Sequence, residues 1–203
     1  GKSLAASIGE WRFGTAPSAE LIDDRSVYSR DTEGYIRIDV TVAEGETPFT
    51  LEDLHEDRFK DDDFDPFIRI RVEGEDFTPV TDGSNATMRI RGATSRLTAQ
   101  KSYRIQLDGD ESDWRGHRYI NLMKHPYEIS RIRNKLSYEM FEQIQHATSL
   151  RTQFVNLTIN GEDYGLFTQV ERYDQQFLET HGLDPDGHLY KAEATEMRRY
   201  PNE

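Results

Sequence analysis

MRIRGATSRLTAQKSYRIQL, residues 88–107, sets two alternating runs on either side of a turn made of small residues. In the second run, KSYRIQL, a period of two puts Lys101, Tyr103, Ile105 and Leu107 on one face and Ser102, Arg104 and Gln106 on the other. The first run, ATMRIRG, reads as a strand in the same way. The pattern leaves a lysine at the head of an apolar face. Its ammonium must reach water, meet an anion or give up its charge.

Working outward, residues 35–42, 67–74, 101–109 and 118–124 alternate as strands, with Gly- and Asp-rich turns between them. Asn160-Gly161 lies between QFVNLTIN and EDYGLFTQVE and is the strongest hairpin signal in the chain. Residues 51–66 hold an acidic segment with a short helix ended by Pro66, and residues 174–181 read as another short helix. The main helix is expected over residues 129–146, where Ile132, Leu136, Met140 and Ile144 form one buried stripe. Arg133 falls within that stripe and Glu139 on its edge, while Arg131, Lys135 and Glu142 face solvent. The fold class is α+β, an antiparallel β-sheet packed against one main helix. Residues 1–34 form an irregular lead-in and residues 35–203 one domain.

The chain has 203 residues, 35% hydrophobic and 31% charged, and a formal net charge of −13. So acidic a surface disfavours nucleic acid and favours basic proteins and divalent cations as partners. No apolar run reaches the roughly 18 residues of a membrane span. The absence of cysteine removes disulfides, thiolate metal sites and cysteine catalysis. The first residues lack the apolar core of a signal peptide.

Lys101 has two readings, a side chain snorkelling to water or one holding a phosphate or carboxylate in a cleft. The turn Gly92-Ala93-Thr94-Ser95, closed by Arg96, allows backbone N–H groups to approach an anion. Glu139 on the helix edge can be aimed at Lys101, the kind of lysine–glutamate pair with which protein kinases orient nucleotide phosphates. Arg133 can snorkel or bind an anion. The strand exit Gln169-Val170-Glu171 offers backbone groups to a purine edge. GLDPDGHLYKAE, residues 182–193, has calcium-loop spacing at Asp184, Asp186, Gly187 and Glu193 but a glycine at the first ligand position, and reads as an Asp-Gly turn. The acidic run at residues 61–65 reads as a solvated loop, and the histidines show no paired metal spacing.

Taken in order, these blocks resemble the spore coat protein H-like (CotH) family of atypical secreted kinases. RIRGATSR…KSYRIQL is similar to the family's R-G-x-S-S-R…K-K-S-Y-R block, and INLMKHPYEISRIRNKLSYEMFEQI to its R-N-K-L helix. FVNLTINGEDYGLFTQVERYDQQFL resembles the family hairpin, and GHLYKAE its short N-L-Y-K segment. The resemblance implies the N-terminal lobe and hinge of a divergent kinase-like fold, binding ATP with Mg or another divalent cation and phosphorylating serines on extracytoplasmic proteins. On that basis Lys101 and Glu139 are the catalytic candidates. Gly92, Arg96, Lys101, Arg133, Gln169, Val170 and Glu171 are the nucleotide-binding candidates, with no metal ligand among these residues.

Two departures from the family pattern stand out. Gln100-Lys101 replaces a pair of lysines, and HPYEIS stands where a D-P-S-like helix start is usual. The later family block with its catalytic and metal-binding aspartates does not follow Glu193. The segment is therefore expected to be inactive alone, to continue into the remainder of a longer chain, and to expose apolar surface which that remainder would cover. The expected partners are ATP and a basic or serine-rich protein substrate. The alternative function is a non-catalytic binding or structural module of a spore coat or cell-surface assembly.

Overall fold

Alternating apolar residues generate seven strands: β1 (Tyr35–Val42), β2 (Ile68–Gly74), β3 (Ala86–Arg91), β4 (Ser102–Leu107), β5 (Tyr119–Met123), β6 (Thr152–Ile159) and β7 (Glu162–Val170). Three helices accompany them, α1 (Leu51–Glu56), α2 (Arg133–Glu142) and α3 (Gln175–Thr180), with a 3-10 turn at Thr94–Leu97. The structure is a computed structural model that describes residues 34–59, 64–109, 114–144 and 148–189. The expected lead-in, apart from Gly34, lies outside the described residues, as do part of the acidic run and the end of the calcium-like segment.

The fold is mixed α+β, but its sheet is not the open antiparallel layer that the alternation suggests. The strands close into a barrel in the order β1-β2-β3-β4-β5-β7-β6. Every neighbouring pair is antiparallel except β1 with β6, which run parallel from Tyr35 opposite Phe154 to Val40 opposite Ile159. Asn160 and Gly161 both take positive φ, 51° and 81°, as a tight two-residue hairpin requires. Asn160 also seals the seam: its side-chain oxygen accepts from the Val42 N–H at 2.8 Å and its own N–H donates to the Val40 carbonyl at 2.8 Å.

Closure explains the core. The inward faces of the strands pack against one another, with Ile38, Ile70, Met88, Ile105, Ile120, Leu122 and Leu157 fully buried. No helix is needed to cover them. The barrel has an upper end, where β3 passes into β4, and a lower end, where β4 passes into β5. Helix α1 sits over the upper end, with Leu54 in the core and Thr50 capping its first turn through a reciprocal bond with Asp53. Trp114 fills the lower end, stacked on Phe77 at 5.7 Å.

Helix α2 departs most from expectation. It is shorter than residues 129–146, has no buried residue, and lies outside the barrel against β6. Its apolar stripe faces outward, with Ile132 49%, Leu136 51%, Met140 64% and Ile144 50% exposed. The helix is held instead by Lys135, whose ammonium donates to the Thr152 carbonyl at 3.1 Å, and by Tyr138 against a small outer cluster of Leu150, Val170, Phe177 and Leu178. Thus the expected sheet–helix core is corrected to a self-sufficient barrel carrying a helix on its wall. The contrast is measurable in urea denaturation. Leu122→Ala is expected to lose about 2–5 kcal/mol and Leu136→Ala less than about 1 kcal/mol; equal losses would contradict the placement of α2.

Candidate anion-binding site

Lys101 finds its partner within its own turn. Its ammonium donates to the Arg96 carbonyl at 2.5 Å, and burial lowers its pKa, with Arg58 adding to the effect and Asp57 opposing it. Arg96 is itself saturated: Nε donates to the Gly92 carbonyl at 2.8 Å, one terminal nitrogen to the Ile90 carbonyl at 3.2 Å, and the other to Asp57 in an ion pair with both side chains buried. Asp57 caps the C-terminus of α1. Gly92 takes φ 101°, and a Cβ there would lie 2.1 Å from the Ser95 hydroxyl oxygen. Glycine is therefore required. Gly92, Arg96 and Lys101 together form a rigid knot at the upper end, which fixes where Thr94 and Ser95 stand.

Those two residues face a pocket on the outer wall of the barrel, of about 310 Å³, between the 3-10 turn and the loop that follows β5. Ser102, Met123, His125, Pro126, Tyr127 and Glu128 contribute the other side. Strand alternation puts Ser102 and Met123 on the outward face, where Arg91 also projects. The loop is bent sharply, with His125 and Arg131 at positive φ, 51° and 62°, a cost that such residues bear mainly at specialised positions. Arg131 holds the bend by donating to the Lys124 and His125 carbonyls and to the Gln100 side chain. Glu128 accepts from the Ser130 N–H at 2.8 Å and the Arg133 N–H at 3.4 Å, replacing the missing cap of α2; bonds from Ser130 hold its carboxyl below the usual range.

Two buried donors here have no partner. The Asn134 amide lies 3.1 Å from Nδ1 of His125, so the neutral ring carries its proton on Nε2, which is buried and unpaired. Burial, chiefly, lowers the His125 pKa, so the ring is neutral near pH 7. Arg91 meets the Met123 sulfur through one terminal nitrogen, yet its buried Nε bonds to nothing. Buried donors left unpaired are costly; His125 lines the pocket with the hydroxyls of Thr94, Ser95 and Ser102, and Arg91 lies opposite Ser102 on the neighbouring strand. The chemistry that satisfies this set is an acceptor-rich anion such as phosphate. Sequence reasoning passed over Arg91 and His125. Arg91 sits within the quoted RIRG run, and its outward phase was the available signal; His125 becomes visible only once the loop folds back.

The other sequence candidates are dispersed. Glu139 pairs with Lys135 at 2.8 Å along α2, and so not with Lys101. Arg133 is exposed on the first turn of that helix. Gln169 points into the barrel, opposite Leu122 and Gln153, while Val170 packs outward against the α3 cluster. Glu171 is buried at the lower end between Arg151 and His117, at 2.9 and 3.0 Å. Burial pushes its carboxyl up, but the bonds from His117 and Arg151 outweigh this and hold it low. Its N–H donates to the Arg151 carbonyl at 3.0 Å and the Val170 carbonyl accepts from Asn121 at 3.3 Å, so neighbouring chain already takes up these backbone groups.

Residues 88–202 match the family model described as CotH kinase protein, which is more than half of the chain. The chain is also similar to the inner spore coat protein H of Bacillus subtilis (strain 168), with 26% identity over 145 residues, 71% of this chain and 37% of that relative. It therefore spans little more than a third of the relative's length.

Beneath the pocket, Lys124 is buried with its ammonium on the Tyr164 carbonyl and 4.2 Å from the Phe167 ring centre. Burial and then Arg131 lower its pKa from 10.5 to about 8, against the opposing charge of Asp163. The unfolded chain keeps this proton up to the higher value and the folded chain releases it at the lower one, so the unfolded state binds more protons between them. Stability should accordingly rise with pH in that interval. Burial raises the Tyr103 phenol, and this works in the opposite sense above about pH 10. Denaturation midpoints between about pH 8 and pH 9.5 should climb in the parent and stay flatter in Lys124→Met; identical slopes would contradict a Lys124 whose pKa is lowered by burial.

Proposed function

This chain belongs to the CotH family, and on that premise we propose that it is the nucleotide-binding portion of an ATP-dependent protein serine kinase. One observation carries the reading: His125, with its buried and unpaired Nε2, lines a pocket together with the hydroxyls of Thr94, Ser95 and Ser102, and the unpaired Nε of Arg91 lies on the adjoining strand opposite Ser102. A triphosphate is the ligand that the family description, CotH kinase protein, makes relevant to such a donor set. Gly92, Arg96 and Lys101 are positioning residues, since they fix the turn that presents Thr94 and Ser95. On this reading the barrel takes the place of the N-terminal lobe of a kinase-like fold, and the exposed stripe of α2 is available to the remainder of a longer polypeptide. The likeness to an inner spore coat protein supports an extracytoplasmic, spore-surface setting.

ATP supplies the transferable phosphoryl group. The contribution of this segment is to hold its phosphates by hydrogen bonds and by the Arg91 charge. Among the described residues no group of three or more histidine and acidic side chains is placed to hold a metal ion, and we assign the divalent cation no ligand on this segment. No helix among the described residues is long and apolar enough to cross a membrane.

Calorimetric titration of this chain with ATP should give saturable binding that Arg91→Met weakens by about tenfold or more. The exposed Arg133→Ala should leave it unchanged. Equal affinity in the parent and Arg91→Met would remove the pocket from nucleotide binding. Transfer is read in the longer protein with labelled ATP, where Lys101→Ala should lower incorporation through loss of the turn.

A further inference from the structure

The outer wall below the pocket carries an unusual run of positive charge for a chain of net charge −13. Arg89 on β3 lies directly opposite Arg104 on β4, and Arg91 opposite Ser102 one step above. Like charges directly across a strand pair repel, and sheets usually place an opposite charge there. Asp39 and Glu73 on β1 and β2 form the opposite case, two carboxylates face to face, whereas other arginines have carboxylate partners nearby. Arg69 on β2 is held by Asp108 and Glu46, Arg71 by Glu73, and Arg115 by Asp76 and Glu75.

The β3–β4 face is different. Asp65 takes Arg89 at 2.6 Å and lies 3.8 Å from Arg96, which is paired with Asp57. Arg104 forms an ion pair with no carboxylate among the described residues; its Nε donates to the neutral Asn121 side chain at 3.1 Å. Farther along, Arg172 lies over the Tyr119 ring at 4.2 Å, with Asp174 at 3.7 Å. Burial and the neighbouring Arg172 and Arg89 disfavour the charged form of Arg104, with Asp65 opposing them, and burial followed by Arg104 does the same to Arg91. Among the described residues the face thus holds guanidinium groups in excess of its carboxylates. The closed barrel leaves no strand edge for a peptide to extend, so a ligand here must be read by side chains.

We propose that this arginine face binds phosphoserine on an extended polypeptide, of the kind the kinase would itself produce. The anionic character of the ligand rests on the arginines alone, and the choice of phosphoserine rests on the serine-kinase reading. A phosphate carries close to two charges and three acceptor oxygens, so it can engage Arg89 and Arg104 together more strongly than one carboxylate can. Product retention of this kind would keep a serine-rich substrate on the protein between successive transfers.

The test is fluorescence anisotropy with a labelled serine-rich peptide, in its phosphoserine, serine and glutamate forms, titrated with the parent chain and with the double variant R89Q/R104Q. The phosphoserine form should bind about tenfold or more tightly than the other two, and the double variant should lose that preference. The double variant relieves the apposed like charges and loses the part-exposed Arg89–Asp65 pair, so the melting temperature should change little, which separates lost recognition from lost folding. ATP should leave the peptide bound, and the double variant should retain ATP affinity. Equal binding of the three peptides, binding that survives R89Q/R104Q, or displacement by ATP would each overturn the proposal. ATP that fails to bind while the phosphopeptide preference persists would count against the nucleotide reading alone.

Discussion

The parallel seam between β1 and β6 is the constraint on which the other features of the molecule rest. It joins strands separated by more than a hundred residues and turns a sheet with two open edges into a closed wall. Once the wall is closed, inward side chains pack against one another and against the plugs of the two ends, Leu54 and Trp114, and outward ones are released from the core. The loop-closure cost of so distant a pairing is met by the burial of Ile36, Ile38, Val40, Val155, Leu157 and Ile159 on the two seam strands.

The two ends of the barrel solve a common problem in different ways. Buried polar groups must be paired, and each end pairs them within a compact knot. At the lower end Glu171 is shared by Arg151 and His117 and brings the segment leading to α3 against the wall. At the upper end Asp57 and Arg96 join α1 to the 3-10 turn, with Lys101 beneath. Removing one partner of such a buried pair is far costlier than the pair is stabilising, so these residues read first as architecture. The unpaired donors of Arg91 and His125 lie outside both knots, on the wall beside the upper one, while Arg71 and Thr168 bury atoms without a hydrogen bond on β2 and β7. It is this separation, saturated groups within and unsatisfied groups beside them, that points to ligand binding at the pocket.

Much of the wall was legible from alternation. Residues 35–42 form β1 with the expected bounds, and the Asn160-Gly161 hairpin follows from two residues that tolerate positive φ. Closure was not legible, because nothing local to residues 35–42 says that their partner lies near residue 155. The buried position of Lys101 followed from its phase, whereas its partner, a carbonyl five residues back, depends on the fold of the turn. The stripe on α2 shows the limit of the helical wheel. Leu136 and Met140 are in register, but a wheel identifies an apolar face without saying that it is buried. His125 and Arg91 were hidden for a related reason: a missing hydrogen-bond partner belongs to three-dimensional structure, and no spacing encodes it.

The central claim is that phosphate oxygens of ATP are received on the outer wall, between the 3-10 turn and the loop after β5. Heteronuclear NMR of the isotope-labelled chain tests it in one titration. Addition of ATP should shift the amides of Thr94 and Ser95, the His125 imidazole and the Arg91 Nε–H, while Glu171 and Arg133 stay fixed. Shifts confined to Gln169, Val170, Glu171 or Arg133, with His125 and Arg91 unmoved, would contradict the account.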